Sequence, residues 1–209
     1  SWFGYVVDGI FKSEDSLHNG IEQAGKGVGR LRYKDLNGDG VINDKDRDWL
    51  GSANPKFTMG LNIALAYKGL DFSAFFSGMV RDVWNDSKRY TDFFQLWLGN
   101  HGTNLLKAWN PNENYDSTIP ALTLQDLNNE GRASTYFIED GSFIRLKNLQ
   151  LGYTLPEKFA RKAMMRTARV YFEVQNVFTI TRYTGVDPEA LGYNYPIPRT
   201  FTLGLNVGF

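Results

Sequence analysis

The clearest pattern along the chain is an alternation of apolar and small polar residues in its last segment, residues 199–209. Every second residue from Phe201 to Phe209 is apolar, and the residues between them are threonine, glycine or asparagine. In a β-strand, successive side chains point to opposite faces. The segment is therefore predicted to form a strand with one wholly apolar face and one face of small or polar groups.

Four further segments carry a related pattern and are predicted as strands. Residues 56–68 repeat the alternation most closely, again with glycine and asparagine on the small face. A tight turn at Lys68-Gly69 leads into the next strand. The other three predicted strands are residues 70–80, 142–155 and 168–180. By simple alternation, Arg145 and Lys147 would point to the same face of their strand as its apolar residues. Because both are charged, they are predicted to lie beyond the end of the apolar part of that face.

The predicted connections alternate between short and long. Turn 68–69 and connector 156–167 are short, whereas the loops at 81–141 and 181–198 are long. Short turns at one end of a sheet and long loops at the other are typical of outer-membrane β-barrels. The pattern favours an all-β fold, an antiparallel transmembrane β-barrel segment of about five strands with long extracellular loops.

This interpretation divides the chain near residue 55. Residues 1–55 are predicted as an extracellular loop region, and residues 56–209 as barrel strands that include the long loop 81–141. About eight strands close the smallest barrels, and open sheet edges do not survive in lipid, so further strands are expected on another part of the protein. The start at Ser1, without a methionine or a signal peptide, likewise leads us to expect a fragment or a processed chain.

Composition excludes several classes of protein. The net charge is zero, from 23 basic and 23 acidic residues, and a general nucleic-acid binder would normally carry a basic excess. The chain has no cysteine, which excludes disulfides, thiol catalysis and cysteine-based metal sites. It shows no phosphate-binding glycine loop and no catalytic nucleophile motif, so an enzyme is not expected.

Two other classes remain open from the residues alone. One is a soluble secreted β-sandwich that binds carbohydrate and is stabilised by calcium, in which the apolar strand faces would form the core. The other is an adhesin or dockerin-like module, which needs a second copy of a calcium loop. A purified chain that is soluble without detergent would favour the sandwich.

Residues 35–46 form a candidate metal site. Their sequence, D-L-N-G-D-G-V-I-N-D-K-D, places oxygen ligands at positions 1, 3, 5, 7, 9 and 12 of a calcium-binding loop and glycine at position 6. The expected ligands of a structural Ca²⁺ are Asp35, Asn37, Asp39, the main-chain carbonyl of Val41, Asn43 and Asp46. A plain tight turn would explain N-G-D-G but not the regular spacing of oxygen ligands. The last ligand is aspartate where the usual pattern has glutamate.

Two tryptophans of the long loop, Trp97 and Trp109, are candidate substrate-binding residues. Their rings would stack on a sugar if they were exposed. The alternative is that they pack into a small core of the loop itself, since tryptophan is mostly buried in proteins.

Six stretches of the chain together resemble the SusC/RagA-like TonB-dependent outer-membrane transporters of Bacteroidetes. They are G-Y-V-V-D-G-I-F from Gly4, Y-K-D-L-N-G-D-G-V-I-N-D-K-D-R from Tyr33, G-S-A-N-P-K-F-T-M-G-L-N from Gly51, F-I-R-L-K-N-L-Q-L-G-Y-T-L-P from Phe143, R-V-Y-F-E-V-Q-N-V-F-T-I-T-R-Y-T-G-V-D-P-E from Arg169, and the C-terminal strand. They occur in the order found in the family and span almost the whole chain.

The resemblance implies more than the residues show. It implies a barrel of about 22 strands closed by an N-terminal plug, of which this chain would be the final quarter. It implies a SusD-like surface lipoprotein as partner, energy from TonB, and import of glycans or peptides across the bacterial outer membrane, in contact with its lipid. It also implies that the calcium-type loop binds a metal and that the strand ending at Phe209 is the barrel-assembly signal.

Overall fold

The computed structural model describes residues 1–18, 20–97, 99–191 and 194–209. Asn19, and residues 98 and 192–193 of the two predicted long loops, lie outside the described residues. The chain forms two compact units. The loop unit consists of Ser1–Asn54 and Asp82–Glu139, and the sheet unit of Pro55–Arg81 and Asp140–Phe209.

Strands account for most of the regular structure in the described part of the chain. In chain order they are β1 (Trp2–Tyr5), β2 (Val7–Ile10), β3 (Leu31–Tyr33), β4 (Arg47–Gly51), β5 (Phe57–Tyr67), β6 (Leu70–Val80), β7 (Asp82–Trp84), β8 (Ile138–Asp140), β9 (Phe143–Thr154), β10 (Thr167–Thr181) and β11 (Thr200–Gly208). The helices are α1 (Glu14–Leu17), α2 (Lys88–Thr91) and α3 (Glu157–Lys162), with 3-10 turns at Asp44–Asp46, Thr103–Lys107 and Thr135–Phe137. None of the described helices has the length and apolar character of a membrane span.

The loop unit is built from short strand pairs around one small core. Its two-stranded sheets are β1–β4, β2–β3 and β7–β8. The buried apolar residues of the core are Ile10, Leu31, Tyr33, Ile42, Phe93, Trp109 and Phe137. These residues come from both sequence segments of the unit, so burial of apolar surface joins the two segments. The predicted division assigned residues 81–141 to the barrel region, whereas Asp82–Glu139 belongs to the loop unit.

The sheet unit is one antiparallel sheet of order β11-β10-β9-β6-β5. The bounds of these strands lie within one residue of the predicted strands at both ends. Alternation sets the register, because apolar residues stand opposite apolar residues across the sheet. Phe172, for example, is opposite Leu203 on one side and Leu151 on the other, and Leu151 is opposite Phe72.

The apolar face of this sheet is open. Leu203 is 77% exposed and Leu61 is 57% exposed, and most of their neighbours on the same face are exposed as well. A soluble sandwich would bury such a face against a second sheet. The sandwich alternative is therefore wrong for this fold. An exposed apolar surface that crosses a whole sheet is characteristic of a wall that faces lipid.

A β-bulge in β9 overturns the prediction for Arg145. Asn148 pairs with Phe75 of β6, but the next pair is Leu146 with Phe76, so Lys147 is an extra residue. One extra residue moves the side chains that precede it in the strand to the opposite face of the sheet from the one that simple alternation predicts. Arg145 therefore faces the polar side of the sheet, where it is buried, and does not lie beyond the apolar zone.

Candidate functional site

The candidate calcium loop is a compact turn held by its own side chains. Gly38 and Gly40 have φ angles of 76° and 81°, which glycine adopts at little cost. The carboxylate of Asp35 accepts the main-chain amides of Gly38 at 2.7 Å and Gly40 at 2.8 Å. The chain thus turns sharply at the sixth position, as a calcium loop requires.

Asp39 presents an ionised carboxylate on the exposed side of this loop. Its oxygens accept hydrogen bonds from the side-chain amide of Asn37 at 2.9 Å and from the main-chain amide of Val41 at 3.0 Å. These bonds, the Asn37 one first, lower the pKa of Asp39. The Asn43 side-chain amide donates to the Val41 carbonyl at 3.1 Å, so the predicted ligands already contact one another.

Asp46, the last predicted ligand, is fully buried. Its two oxygens accept the amides of Leu36 at 3.0 Å and Asn43 at 2.8 Å. No cationic side chain of the described residues pairs with it, and a buried carboxylate is costly without a compensating charge. A divalent cation at the loop would supply positive charge close to this group.

The loop has the oxygen ligands of a calcium site in the expected sequence order, but their side chains are not gathered around one point. Within the described ranges, no three His, Cys, Asp or Glu side chains gather closely enough to hold a metal ion. Asp35, Asp39 and Asp46 instead use their oxygens on main-chain and side-chain amides of the loop. Binding of an ion would require these side chains to exchange amide contacts for metal contacts.

The two tryptophans occupy different environments. Trp97 is 47% exposed and makes a T-shaped contact with Tyr90 at 5.2 Å between ring centroids, so it retains an open surface. Trp109 is 5% exposed and belongs to the core of the loop unit. The burial of Trp109 favours the alternative that it packs into the core of the loop unit, because stacking on a substrate needs an exposed ring face. Trp109 instead forms one wall of a cleft of about 440 Å³ that Leu105 and Leu122 also line.

A buried polar cluster around Glu130 organises the loop unit, and no local sequence pattern marks it. Glu130 is fully buried and pairs with Arg30 at 2.9 Å. It also accepts the Leu31 amide and the Gln95 side-chain amide, both at 2.8 Å. Burial raises the pKa of Glu130, and Arg30 and the Leu31 amide offset part of that rise. The cluster joins residues far apart in sequence through one carboxylate.

A second charged cluster fastens the loop after β10 to the polar face of the sheet. The Arg145 guanidinium donates to Asp187 at 2.7 Å, to Glu189 at 2.8 Å and to the Thr179 hydroxyl at 2.7 Å. Burial opposes ionisation of Asp187, but the Glu189 amide, Arg145 and the Ile197 amide outweigh it and lower its pKa. The polar face thus carries a buried ion-pair network.

Glycines on the polar face make room for large neighbours. Asp71 accepts from the Arg169 Nε at 2.9 Å, and a Cβ added at Gly152 would lie against both of these side chains. A Cβ at Gly204 would likewise collide with the ring of Tyr171. The small residues of the alternating pattern are therefore covered by side chains from adjacent strands.

Comparisons with known proteins agree in sequence and in structure. No protein-family model matches the chain. Over its full length it is 36% identical to TonB-dependent receptor P3 of Formosa agariphila, and over 90% of its length it is 30% identical to TonB-dependent receptor SusC of Bacteroides thetaiotaomicron. It spans 22% and 18% of those two proteins.

Solved structures give the same result. The whole chain superposes on 22% of a chain in the structure of the RagAB peptide transporter, with a TM-score of 0.77 and 27% identity. The RagAB peptide importer in its open-open state gives a TM-score of 0.72. These relatives are named as receptors, transporters or importers and not as enzymes. The chain belongs to the SusC/RagA-like TonB-dependent receptors, and it matches the C-terminal portion of their β-barrel.

Proposed function

We propose that this chain forms part of the barrel wall of a TonB-dependent nutrient importer in the bacterial outer membrane. The observation that carries the proposal is the sheet with one exposed apolar face and one polar face that holds buried ion pairs. Such a sheet suits a wall between lipid and an aqueous lumen. The sheet edges at β5 and β11 would pair with further barrel strands, as lipid requires.

The proposed importer works with a SusD-like surface lipoprotein and draws energy from TonB. Support comes from the likeness to SusC and to the RagAB peptide transporter. The proposed substrates are glycans or peptides, and Trp97 is the residue of this chain that we propose to contact them. The loop unit would lie on the extracellular side, where it would meet substrate or lipoprotein.

Substitution of Trp97 by alanine is expected to lower substrate uptake about two- to tenfold, because a stacking contact contributes about 0.5–1.5 kcal/mol. The test measures uptake of labelled oligosaccharides and of labelled oligopeptides by cells that express the importer as their only one of its class. Trp97→Phe is the matched control and should retain most of the uptake. Uptake of neither substrate class by the wild type would contradict the proposed function, and unchanged uptake in W97A would remove Trp97 from the site.

We also propose that residues 35–46 hold a structural Ca²⁺, with ligands as predicted. The sharp turn at Gly40 supports this proposal, and so does the buried carboxylate of Asp46, which has no cationic partner among the described residues. Bound calcium would stabilise the folded loop and would leave Asp39 ionised.

Removal of calcium by a chelator is expected to lower the melting temperature of the wild type on the order of 5–10 °C, if free calcium had exceeded its Kd about 100-fold. The variant D39A should melt at the same temperature with and without chelator. E113A, which removes another exposed carboxylate of the loop unit, should behave like the wild type. Identical wild-type melting in calcium and in chelator would exclude the site.

A further inference from the structure

A basic surface lies at the end of the sheet unit where a connector joins β9 to β10. Its cationic side chains are Lys158, Arg161, Lys162 and Arg166, and all four residues are exposed. The one carboxylate in the connector, Glu157, pairs with Arg161, whose Nε donates at 2.9 Å. This connector surface therefore carries excess positive charge, although the chain as a whole has a net charge of zero.

The packing of α3 places this surface beside the apolar face of the sheet. Ala168 pairs with Val207, two residues along the strands from the apolar pair of Val170 and Leu205, so it lies on the same, apolar face. It is nevertheless only 2% exposed, whereas Val170 is 38% exposed. The helix α3 contacts β10 and its Ala160 is fully buried. The geometry indicates that α3 covers the apolar face at Ala168.

Exposed apolar side chains accompany the basic ones. Phe159 and Met164 of the connector are 57% and 88% exposed, and Phe209 at the end of β11 is exposed as well. The same end of the sheet carries Tyr67, the last residue of β5, and Tyr153 near the end of β9. Aromatic residues at one level along the strands, next to basic groups, are typical of the membrane–water interface.

We propose that the connector surface binds anionic phospholipid headgroups in the leaflet that faces this end of the sheet. The inference rests on the proposed function, since only a membrane-embedded sheet has a leaflet at this level. The cations of Lys162 and Arg166 complement lipid phosphates, and Phe159 and Met164 would enter the boundary between headgroups and acyl chains. Continuity with the lipid-facing wall favours lipid over a protein partner as the occupant.

The test titrates the purified protein in neutral detergent with phosphatidylglycerol or with phosphatidylcholine and follows its melting temperature. For the wild type, phosphatidylglycerol is expected to raise the melting temperature at lower concentration than phosphatidylcholine. K162Q/R166Q should need about 25-fold more phosphatidylglycerol, because each basic group near an anionic surface contributes about fivefold to affinity.

Two controls accompany this titration. K162R/R166K keeps the charge and should match the wild type, and so should K34Q/K107Q, which removes two exposed lysines of the loop unit. Equal titrations for wild type and K162Q/R166Q, or equal effects of the two lipids on the wild type, would overturn the lipid assignment. A drop in nutrient uptake by K162Q/R166Q without a change in titration would indicate a protein partner and would also overturn it. The titration uses no nutrient, so failure of the uptake assay in the wild type bears on the proposed function alone.

Discussion

Substitution of Arg145 by methionine is expected to destabilise the sheet unit by about 3–5 kcal/mol, because it leaves the buried carboxylate of Asp187 without its cation. Glu189 would lose one of its two partners and keep Lys147 at 2.7 Å. The loop that follows β10 should then detach from the polar face. Urea unfolding in detergent would measure the loss of stability, and hydrogen exchange at the Ile197 amide, which donates to Asp187 at 3.1 Å, would report the local change.

Three further variants separate the effect of this ion pair from other effects of losing an arginine. Arg182→Met removes an exposed arginine at the start of the same loop and should change stability by less than about 0.5 kcal/mol. Arg145→Lys keeps the charge without the forked geometry and should lie between methionine and wild type. The double variant R145M/D187L removes both charges and should recover part of the loss. If R145M were as stable as R182M, the ion pair would not hold the loop.

The same pair has a defined pH dependence. The folded pKa of Asp187 is lowered, so its contribution to stability is complete above the unfolded pKa and is lost as pH falls through the folded pKa. Without Arg145 the folded pKa should rise towards its ordinary value. The part of the pH dependence of stability that comes from Asp187 is therefore expected to be smaller in R145M than in the wild type.

Substitution of Glu130 by leucine is expected to destabilise the loop unit by about 3–5 kcal/mol. It leaves the mostly buried guanidinium of Arg30 unpaired and the Leu31 amide without its acceptor. Glu130→Gln keeps an acceptor for the Leu31 amide but also leaves Arg30 without a counter-charge, so its loss of stability should be smaller than that of the leucine variant and still measurable. Urea unfolding at neutral pH would compare the two variants, and equal losses would show that charge alone decides.

The raised pKa of Glu130 also predicts how the difference in stability between the wild type and E130Q changes with pH. Burial raises the folded pKa above its ordinary value of 4.5, so the folded state binds the proton more tightly than the unfolded state. The stability of the wild type relative to E130Q should therefore fall as pH rises from about 4.5 through the folded pKa, and level off above it. A difference that does not change with pH would contradict the raised pKa.

The sheet was the part of the fold that local sequence could predict. Alternation from Phe57 to Tyr67 and from Phe201 to Phe209 marks strands directly, because a half-apolar strand has a period of two. The sharp turn of the calcium loop was predictable for a similar reason, because it depends on Gly38 and Gly40 within the loop itself. Whether its carboxylates meet at a cation depends on side-chain positions that spacing does not determine.

The remaining features depend on contacts distant in sequence. No local sequence feature identifies Lys147 as the extra residue of a β-bulge. Without the bulge, simple alternation places Arg145 on the wrong face of the sheet. Trp109 is buried by core residues from the first 54 residues as well as from its own segment. Glu130 lies in a polar stretch typical of a loop, yet its partner Arg30 is 100 positions away. Sequence patterns report local periodicity and do not reveal such pairings.

The placement of β7 and β8 has a consequence for the order of folding. Pairing of β6 with β9 must bring together the two ends of residues 81–142, and closing so long a loop slows folding because its entropy is lost before contacts form. The inserted segment begins with β7 and ends at β8, and these strands pair with each other. Once the loop unit has folded, the ends of β6 and β9 are therefore already close. Pairing of β6 with β9 can then start at these ends and proceed along the strands without further loop closure. The slow step in forming the sheet is therefore expected to be the folding of the loop unit, outside the lipid.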